Sequence, residues 1–313
     1  MTATCELRGR VVLAVYDCFT FYNEYALLEW RFKMLYSLVD VFVIVEGNRT
    51  FQNKPKGLNF PKYRRLFAPY EKKIRYVAIE EEMPYNSDWS IEIFQRNYIK
   101  KALAGCKEDD VIILSDADEI VDPQLLRCLN DGGGKVHLFS TFERVEEREG
   151  VRGLSRNLRC FLRALPHMDK RASLREFLRC GPVVCEQEMY NFFVNYQKDS
   201  NWCGSIFVQY GQIETMQSLR ARRNKYPMVR GGWHFSSLGG WKNVLNKIYS
   251  TSDGKCDPIY GLDETEQKRV IEEGLGKGYL WWRDEYLKKR EIADLQIPFV
   301  EWFVKKYPDM YHA

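Results

Sequence analysis

Four short runs of apolar residues, separated by helix-like sequence, constrain the fold of this chain most strongly. The runs cover residues 11–16, 41–45, 74–79 and 110–114. Between them, residues 24–38 and 91–104 carry apolar side chains at helical spacing. Continuous apolar runs that alternate with helices are typical of strands buried on both faces of a parallel sheet. The sequence therefore predicts an α/β fold whose central, largely parallel sheet is flanked by helices.

Three of the four apolar runs are followed by an acidic residue. Asp17 follows the first run, Glu46 the second and Asp116 the fourth. In open α/β sheets, ligands bind outside the carboxyl ends of the strands. The sequence therefore predicts that these three acids surround a ligand site at that edge of the sheet.

The second half of the chain has a less regular pattern. The elements predicted there are a helix at 124–130, strands at 136–142, 189–195 and 205–210, and helices at 240–250, 263–275 and 284–306. Pro298 interrupts the last of these helices. Because no linker separates the two halves, the sequence predicts one domain over 1–313, divided into residues 1–130 and 131–313.

Arginines are concentrated in residues 144–180, where several recur at helical spacing with leucines between them. The whole chain carries 47 basic and 43 acidic residues, a net charge of +4. That small excess, without a recognisable nucleic-acid-binding module, predicts no nucleic-acid partner. The arginine-rich helical segment has three interpretations: a solvated helix face, a surface for an acidic partner or a membrane, or a contact to an acidic acceptor.

Cysteine spacing and hydropathy bear on the compartment. The nine cysteines include no Cys-x-x-Cys pair, which argues against a zinc site and favours free thiols in a reducing compartment. No apolar run is long enough to predict a membrane-spanning helix, and the first residues do not resemble a signal peptide. The residues by themselves therefore predict a cytoplasmic or soluble protein.

The strongest local motif is Asp116-Ala117-Asp118, directly after the fourth apolar run. Two carboxylates one residue apart at a strand end can both reach one cation if the backbone turns there. Mn²⁺ and Mg²⁺ favour oxygen ligands, and such a cation stabilises charge that develops on a nucleotide leaving group. The alternative is a solvated acidic turn that caps the helix within 122–130.

Five blocks of sequence carry a further signal. They are Asp17–Glu24 with Leu27, Leu28, Glu29 and Arg31; 39–46 with 50–51 and 55–56; 95–97; 112–120; and 231–236 with Lys247. In this order and spacing the blocks resemble glycosyltransferase family 17. The resemblance implies a GT-A-type nucleotide-sugar-binding fold and an inverting transfer that depends on Mn²⁺ or Mg²⁺. It also implies a UDP-sugar donor, with GlcNAc as the sugar, and a glycan or glycoprotein acceptor.

The resemblance assigns roles to the two halves and bears again on the compartment. It places the nucleotide-sugar donor in residues 1–130 and the acceptor in residues 131–313. Animal members of the family are Golgi membrane proteins, which implies the Golgi lumen if an anchor was removed to make this chain.

Three residues become candidate metal ligands through the resemblance. Asp116 and Asp118 would hold the cation on the donor diphosphate, and His234 would supply a third ligand. The alternative for His234, which follows Gly231, Gly232 and Trp233, is a hydrogen-bonded core histidine.

Four further residues are candidates for binding the donor nucleotide. Asp17 and Glu46 would lie near the uracil and ribose. Arg96 would face the nucleotide and Lys247 would neutralise the diphosphate, since cationic side chains suit phosphate oxygens. A position on a helix surface is the alternative for both Arg96 and Lys247.

The sequence does not identify the catalytic base. An inverting transfer requires a group that accepts the proton of the acceptor hydroxyl, and a carboxylate suits this role. Glu119, Glu214 and Asp253 are the candidates. Glu24, by contrast, is expected to cap the first helix.

Two other functions compete with a glycosyltransferase. A non-catalytic carbohydrate-binding or scaffold protein would bind sugar without metal and would not hydrolyse a donor. A nucleotidyltransferase usually carries a glycine-rich phosphate loop after its first strand, and Asp17-Cys18-Phe19-Thr20 is not such a loop.

Overall fold

The computed structural model describes residues 13–130, 135–136 and 172–313. In the first of these ranges, strands and helices alternate as the apolar runs predict. The elements are β1 (Val15–Thr20), α1 (Tyr25–Leu35), β2 (Val41–Gly47), α2 (Phe60–Tyr63), β3 (Ile74–Ile79), α3 (Ser90–Ala102), β4 (Val111–Asp116), β5 (Glu119–Ile120) and α4 (Pro123–Asn130). A 3₁₀ segment, Arg64–Lys73, joins α2 to β3.

The second half contains longer strands and shorter helices. The strands are β6 (Lys135–Val136), β7 (Ala172–Ser173), β8 (Val183–Asn191), β9 (Tyr196–Gln197), β10 (Trp202–Gln209), β11 (Met228–Ser236), β12 (Tyr279–Leu280), β13 (Glu285–Tyr286) and β14 (Lys288–Lys289). The helices are α5 (Leu174–Cys180), α6 (Met216–Ala221), α7 (Trp241–Ile248), α8 (Glu264–Lys277) and α9 (Val300–Lys306).

Among the described residues, most strands belong to one ten-stranded sheet with the path β14-β9-β8-β10-β4-β1-β2-β3. Strands β4, β1, β2 and β3 are mutually parallel. Strand β10 joins β4 in the antiparallel sense, and β11 pairs with both β8 and β5. The predicted α/β fold with a central, largely parallel sheet flanked by helices is confirmed, and the second half extends this sheet with antiparallel strands.

Side chains that alternate along β1 separate two apolar layers. Val15 and Phe19 belong to the cluster that contains α1, whereas Tyr16 and Cys18 belong to the cluster that contains α3. Because strand residues two apart share a face, Asp17 lies on the side of α1. A third, aromatic cluster joins α7, α8 and β12 in the second half.

None of the helices in the described ranges combines the length and the apolar character that crossing a bilayer requires.

The first strand was predicted at residues 11–16; the structure confirms a strand at 15–16 but not at 13–14, and residues 11–12 lie outside the described ranges. Strand β1 begins at Val15 and continues to Thr20, because its pairing with β2 and β4 extends through these residues. Asp17 therefore lies within a strand and not at its end. Glu46 and Asp116 do lie in the last two positions of β2 and β4.

The helix predicted over 284–306 is also wrong for most of its length. Residues 285–286 and 288–289 are strands, and the helix α9 begins only at Val300. Residues 288–289 pair with β9, so a partner distant in sequence fixes them in an extended conformation. The strand predicted at 136–142 and the arginine-rich segment at 144–180 fall mostly outside the described residues.

Candidate functional site

A cavity of about 1300 Å³ opens at the carboxyl ends of β1 and β4. Its wall includes both acids of the Asp116-Ala117-Asp118 motif. The predicted residues Arg96, His234, Lys247 and Asp253 also line it. A cavity is therefore present at the edge of the sheet where the ligand site was predicted.

Two arginines hold the carboxylate of Asp116. Oδ1 accepts a hydrogen bond from Arg96 Nη2 at 3.2 Å, and Oδ2 accepts one from Arg220 Nη2 at 2.6 Å. Burial alone would raise the pKa of Asp116, but the charges of Arg220 and Arg96 hold it below its ordinary value. Asp116 is therefore an anion whose charge is already balanced within the protein.

Asp118 has a different pair of partners. Lys247 Nζ, from α7, donates a hydrogen bond to Asp118 Oδ2 at 2.8 Å, and His234 Nε2 lies 3.5 Å from the same oxygen. Against the effect of burial, the charge of Lys247 and the neighbouring His234 hold the pKa of Asp118 well below its ordinary value. One wall of the cavity thus alternates carboxylates with cationic side chains.

Strand β11 carries His234 to this position. The register pairs His234 with Glu119 of β5, and the backbone N–H of Phe235 donates to the carbonyl oxygen of Asp118 at 2.8 Å. The indole of Trp202 packs on the imidazole with 4.9 Å between ring centroids. His234 Nδ1 is buried and has no hydrogen-bond partner among the described residues.

An irregularity in β11, between Arg230 and Trp233, depends on Gly232. Gly232 has φ +105°, and a Cβ there would lie 2.4 Å from the carbonyl oxygen of Ile120. We expect Gly232→Ala to destabilise the protein by more than about 1 kcal/mol, because both the backbone conformation and the space exclude a side chain.

Gly276→Ala is the matched control for this substitution. Gly276 lies within α8, and outside the backbone of that helix no heavy atom of the described residues lies within 4 Å of the position that a Cβ would take. Alanine favours a helix by about 0.5–1 kcal/mol over glycine, so this variant should gain stability. Urea unfolding measures both, and equal stability of the Gly232→Ala variant and the original chain would contradict the tight packing.

Glu119, predicted as a possible base, has a structural position instead. It is fully buried, and its two oxygens accept hydrogen bonds from Arg220 at 2.5 and 3.0 Å. Trp202 Nε1 donates to Oε1 at 2.6 Å, and the backbone N–H of Asp116 donates to Oε2 at 3.1 Å. Glu119 does not line the cavity, and its bonds hold Arg220 and Trp202 beside the acidic motif.

Asp17 was expected near the uracil and ribose, but it points into the protein. It is fully buried and pairs with Arg31 of α1, whose Nε lies 2.6 Å from Asp17 Oδ2. Arg31 also donates to Ser115 Oγ at 2.6 Å and to the carbonyl oxygen of Glu119 at 2.8 Å. This pair therefore fixes the backbone of the acidic motif from behind and does not line the cavity.

Glu46, given the same role, is likewise fully buried away from the cavity lining. Its Oε1 accepts from Lys56 Nζ at 2.7 Å and from the backbone N–H of Asn59 at 2.6 Å. Its Oε2 accepts from the backbone N–H of Phe60 and the hydroxyl of Tyr76, both at 3.0 Å. Glu46 thus orders the segment that leads into α2.

The remaining predicted bases differ in position. Asp253 is exposed and lines the cavity. Glu214 lies outside the cavity lining, with Arg222 3.8 Å away and three quarters of its side chain exposed. Glu24 lines the cavity, and its Oε2 accepts from the backbone N–H groups of Tyr22 and Asn23 at 3.1 Å, so it is not a side-chain cap of α1.

Sequence reasoning missed Arg220, which connects Asp116 to Glu119 and is 5% exposed. It lies in α6, a six-residue helix whose N-cap Thr215 forms a capping box with Ser218. Nothing in its local sequence separates it from an ordinary surface arginine, because its carboxylate partners lie about 100 residues earlier. Only the packing of α6 against α3 brings it to the site.

The donor set is chemically suited to a divalent cation only in part. Asp118 and His234 offer a carboxylate oxygen and an imidazole nitrogen 3.5 Å apart, both suitable ligands for Mn²⁺. Each oxygen of Asp116 accepts one hydrogen bond from an arginine and keeps a second lone pair with which it could bind a cation. In the described ranges, no group of three or more His, Cys, Asp or Glu side chains is arranged so that it could hold a metal ion. The remaining ligands would therefore come from a diphosphate and water.

Comparison with known sequences identifies relatives for most of the chain. The family model of glycosyltransferase family 17 matches residues 1–140. The rat beta-1,4-mannosyl-glycoprotein 4-beta-N-acetylglucosaminyltransferase is 30% identical over an alignment of 284 residues that covers 85% of this chain and 46% of the relative. The human protein of the same name is 30% identical over an alignment of 267 residues that covers 80% of this chain and 44% of the relative. This chain thus spans less than half the length of either relative.

Solved structures give weaker similarity. The galactosyltransferase LgtC with donor and acceptor sugar analogs superimposes with a TM-score of 0.31 at 12% identity, over 67% of this chain and 63% of LgtC. The inositol-1-phosphate CTP transferase from T. maritima gives 0.32 at 8% identity, over 84% and 98% of the two chains. TM-scores this low do not establish that these structures share the fold of the present chain.

Comparison with known sequences thus confirms the resemblance that the five sequence blocks indicated. The family match lies in the half that supplies the parallel strands and the Asp116-Ala117-Asp118 motif, and the curated relatives extend the similarity into the second half. By these matches the chain is similar to glycosyltransferase family 17 over residues 1–140, and to N-acetylglucosaminyltransferases over most of its length.

Proposed function

We propose that this protein is a glycosyltransferase of GT-A type that binds a UDP-sugar in the cavity and transfers the sugar to a glycan with inversion. The arrangement at the Asp116-Ala117-Asp118 motif carries the proposal. Two carboxylates and three cationic side chains, Arg96, Arg220 and Lys247, meet at one cavity wall in a chain that is similar to a glycosyltransferase family.

The cationic side chains suit a diphosphate. Arg96 and Arg220 are 4% and 5% exposed, and Lys247 is tied to Asp118 at 2.8 Å. Buried guanidinium groups are weakly hydrated and bind phosphate oxygens in a planar, bidentate manner. A nucleotide diphosphate that enters the cavity would find these cations already held in place.

A divalent cation, when bound, would neutralise negative charge on the leaving UDP. Asp118 and His234 would hold it, joined by Asp116 through a lone pair that its two arginines leave unused. Arg96 and Arg220 line the same cavity and would face the phosphate oxygens of the donor.

Asp253 is the base that we propose. It alone among Glu119, Glu214 and Asp253 lines the cavity. Burial alone would lower the pKa of Lys247, but Asp118, then Glu24 and then Asp253 raise it. In an inverting transfer the acceptor hydroxyl attacks the anomeric carbon, Asp253 takes the hydroxyl proton and UDP leaves with the bonding electron pair.

The names of the relatives suggest the substrates. They describe a 4-beta-N-acetylglucosaminyltransferase that acts on a beta-1,4-mannosyl-glycoprotein. For the present chain we propose GlcNAc as the sugar and a glycan with a β-1,4-linked mannose as the acceptor. The similarity over 85% of this chain supports this choice.

A transfer assay tests the proposal. The protein is incubated with labelled UDP-GlcNAc and a mannosyl glycopeptide, with Mn²⁺ or with a chelator. We expect transfer with Mn²⁺ and none with the chelator. His234→Ala should weaken the apparent Mn²⁺ affinity by about 10-fold or more, because altered ligation of a metal site has effects of this size.

His312→Ala is the control, since His312 is also a histidine with a buried Nδ1 but lies outside the cavity lining. It should leave the dependence on Mn²⁺ unchanged. Failure to transfer sugar from any UDP donor would overturn the proposed function. An unchanged Mn²⁺ dependence in His234→Ala would remove His234 from the proposed cation site.

A further inference from the structure

The cavity extends beyond the acidic motif to a second wall that the proposed donor site does not use. This wall contains Asn191 at the end of β8, Trp282 in the β12–β13 connection, and the segment 198–201. In the sheet, β8 lies two strands from β4 and three from β1, at whose carboxyl ends nucleotides bind in open α/β sheets. A ligand other than the nucleotide therefore has room at the second wall.

Asn191 has a buried side-chain oxygen that accepts no hydrogen bond from the described residues. It is 2% exposed and lines the cavity, and its Oδ1 has no hydrogen-bond partner among the described residues. A buried acceptor without a donor is unfavourable, and most such groups in native proteins are paired. The next residue, Phe192, has φ +67°, a conformation that bulky residues rarely adopt. Strained backbone of this kind is concentrated at functional sites.

Trp282 has an orientation that its neighbours fix. Its ring lies edge-on to Phe192, with 5.8 Å between centroids, and edge-on to Trp281, with 4.7 Å between centroids. It is only partly buried. An ion pair between Lys198 and Glu285 ties the segment 198–201 to strand β13 beside it. The result is an aromatic surface in the cavity wall with polar side chains beside it.

This wall is continuous with the proposed transfer centre. In the sheet, Asn191 is the register partner of Ser236. Ser236 Oγ accepts a hydrogen bond from Lys247 Nζ at 3.1 Å, and Lys247 also binds Asp118. Asn191 is therefore three contacts from the acidic motif, and Phe192 leads from it to Trp282.

We propose that Asn191 and Trp282 form the acceptor subsite, in which Asn191 Oδ1 accepts a sugar hydroxyl and Trp282 covers the apolar face of the same pyranose ring. Binding sites for small polar ligands typically combine an aromatic surface with a few fixed polar groups. The acceptor class is a neutral hexose of a glycan. This inference rests on the proposed function, since it assigns a second substrate to the same cavity.

Direct binding and kinetics together test the subsite. A mannosyl glycopeptide is titrated by calorimetry into protein that holds UDP and Mn²⁺, and the acceptor KM is measured in the transfer assay. Trp282→Ala should weaken glycopeptide binding and raise the acceptor KM by about 10-fold, equivalent to about 1.4 kcal/mol. Trp282→Phe should restore most of this loss, because a ring remains. The donor KM should change by less than about twofold, since Trp282 lies away from the proposed donor end.

Asn191→Leu provides a readout that a merely structural residue would not give. This variant should weaken binding of the glycopeptide to a similar extent without lowering Tm. It removes Oδ1, a buried hydrogen-bond acceptor that has no partner among the described residues. Trp302→Ala is the control: Trp302 is a partly buried tryptophan outside the cavity lining, and its loss should leave glycopeptide binding unchanged.

The outcomes separate this inference from the proposed function. Transfer by the unmodified protein with an unchanged acceptor KM in Trp282→Ala and Asn191→Leu would overturn the subsite and leave the proposed function standing. Glycopeptide binding that depends on both residues, without any sugar transfer, would support the subsite and overturn the proposed transferase activity. A donor KM that rises as much as the acceptor KM would also overturn the subsite.

Discussion

Asp116→Asn and Asp118→Asn are each expected to lower sugar transfer by a factor on the order of 10²–10³, the effect of removing a group that stabilises transition-state charge. Each substitution removes a negative charge from the cavity wall and keeps the shape of the side chain. Without that charge the site loses a ligand for the cation on the leaving diphosphate. Kinetics with saturating donor and Mn²⁺, together with UDP titrations, measure the two parts of this loss.

The fold should survive both substitutions. Arg220 keeps its bonds to Glu119 when Asp116 is replaced, and Lys247 keeps its bond to Ser236 Oγ when Asp118 is replaced. Asp122→Asn is the control, because Asp122 is an acid of the same segment that lies outside the cavity lining. Its side chain accepts from the backbone N–H of Gln124, a role that asparagine also fills. Wild-type transfer by both Asp116→Asn and Asp118→Asn would contradict the proposed role of the motif.

The largest expected effect on stability is that of Arg31→Met. Arg31 and Asp17 are both fully buried, and Arg31 also binds Ser115 and the backbone of Asp116 and Glu119. Its removal would leave the Asp17 carboxylate buried without a counter-charge. Breaking a buried pair in this way costs about 3–5 kcal/mol. Urea unfolding of the variant should show a free energy of unfolding lower by that amount.

Arg64→Met is the matched control for Arg31→Met. Arg64 forms an ion pair with Glu71, but the side chains are 57% and 37% exposed. An exposed pair contributes about 0–1 kcal/mol, so the same chemical change should have little effect there. Equal losses of stability in the two variants would contradict the structural role assigned to Arg31.

Local pattern was sufficient to predict the parallel half of the fold. Buried parallel strands must be apolar along their whole length, so residues 41–45, 74–79 and 110–114 stand out from their polar surroundings. The first strand was displaced because Asp17 interrupts its apolar pattern, and a charge normally marks a strand end. Arg31, 14 residues later, neutralises that charge and lets the strand continue to Thr20.

The candidate site was predictable only where its residues follow a strand or belong to the family blocks. Asp116, Asp118, His234, Lys247 and Arg96 were expected together, and the structure places all five on one cavity wall. The contributions of the second half depend on pairings between distant strands and on the packing of short helices. For this reason Arg220, Asn191 and Trp282 could not be found in sequence patterns.

The same limitation explains why the positions of the candidate bases could not be predicted from the sequence. The sequence did not choose among Glu119, Glu214 and Asp253 as the base, and the side chain of Glu119 turns away from the cavity toward Arg220 and Trp202. Side-chain direction at a strand end depends on the backbone turn, which sequence spacing does not specify. Asp253 was a candidate without strong support from the sequence, and it is the one of the three that lines the cavity.

Titration of UDP into the unmodified protein is the most direct test of a nucleotide-diphosphate site at the acidic motif. Calorimetry with Mn²⁺, and again with a chelator, measures the affinity under both conditions. Binding that requires Mn²⁺ and is lost in Asp118→Asn is the expected result. Absence of UDP binding under both conditions, in protein that unfolds cooperatively, would contradict the site.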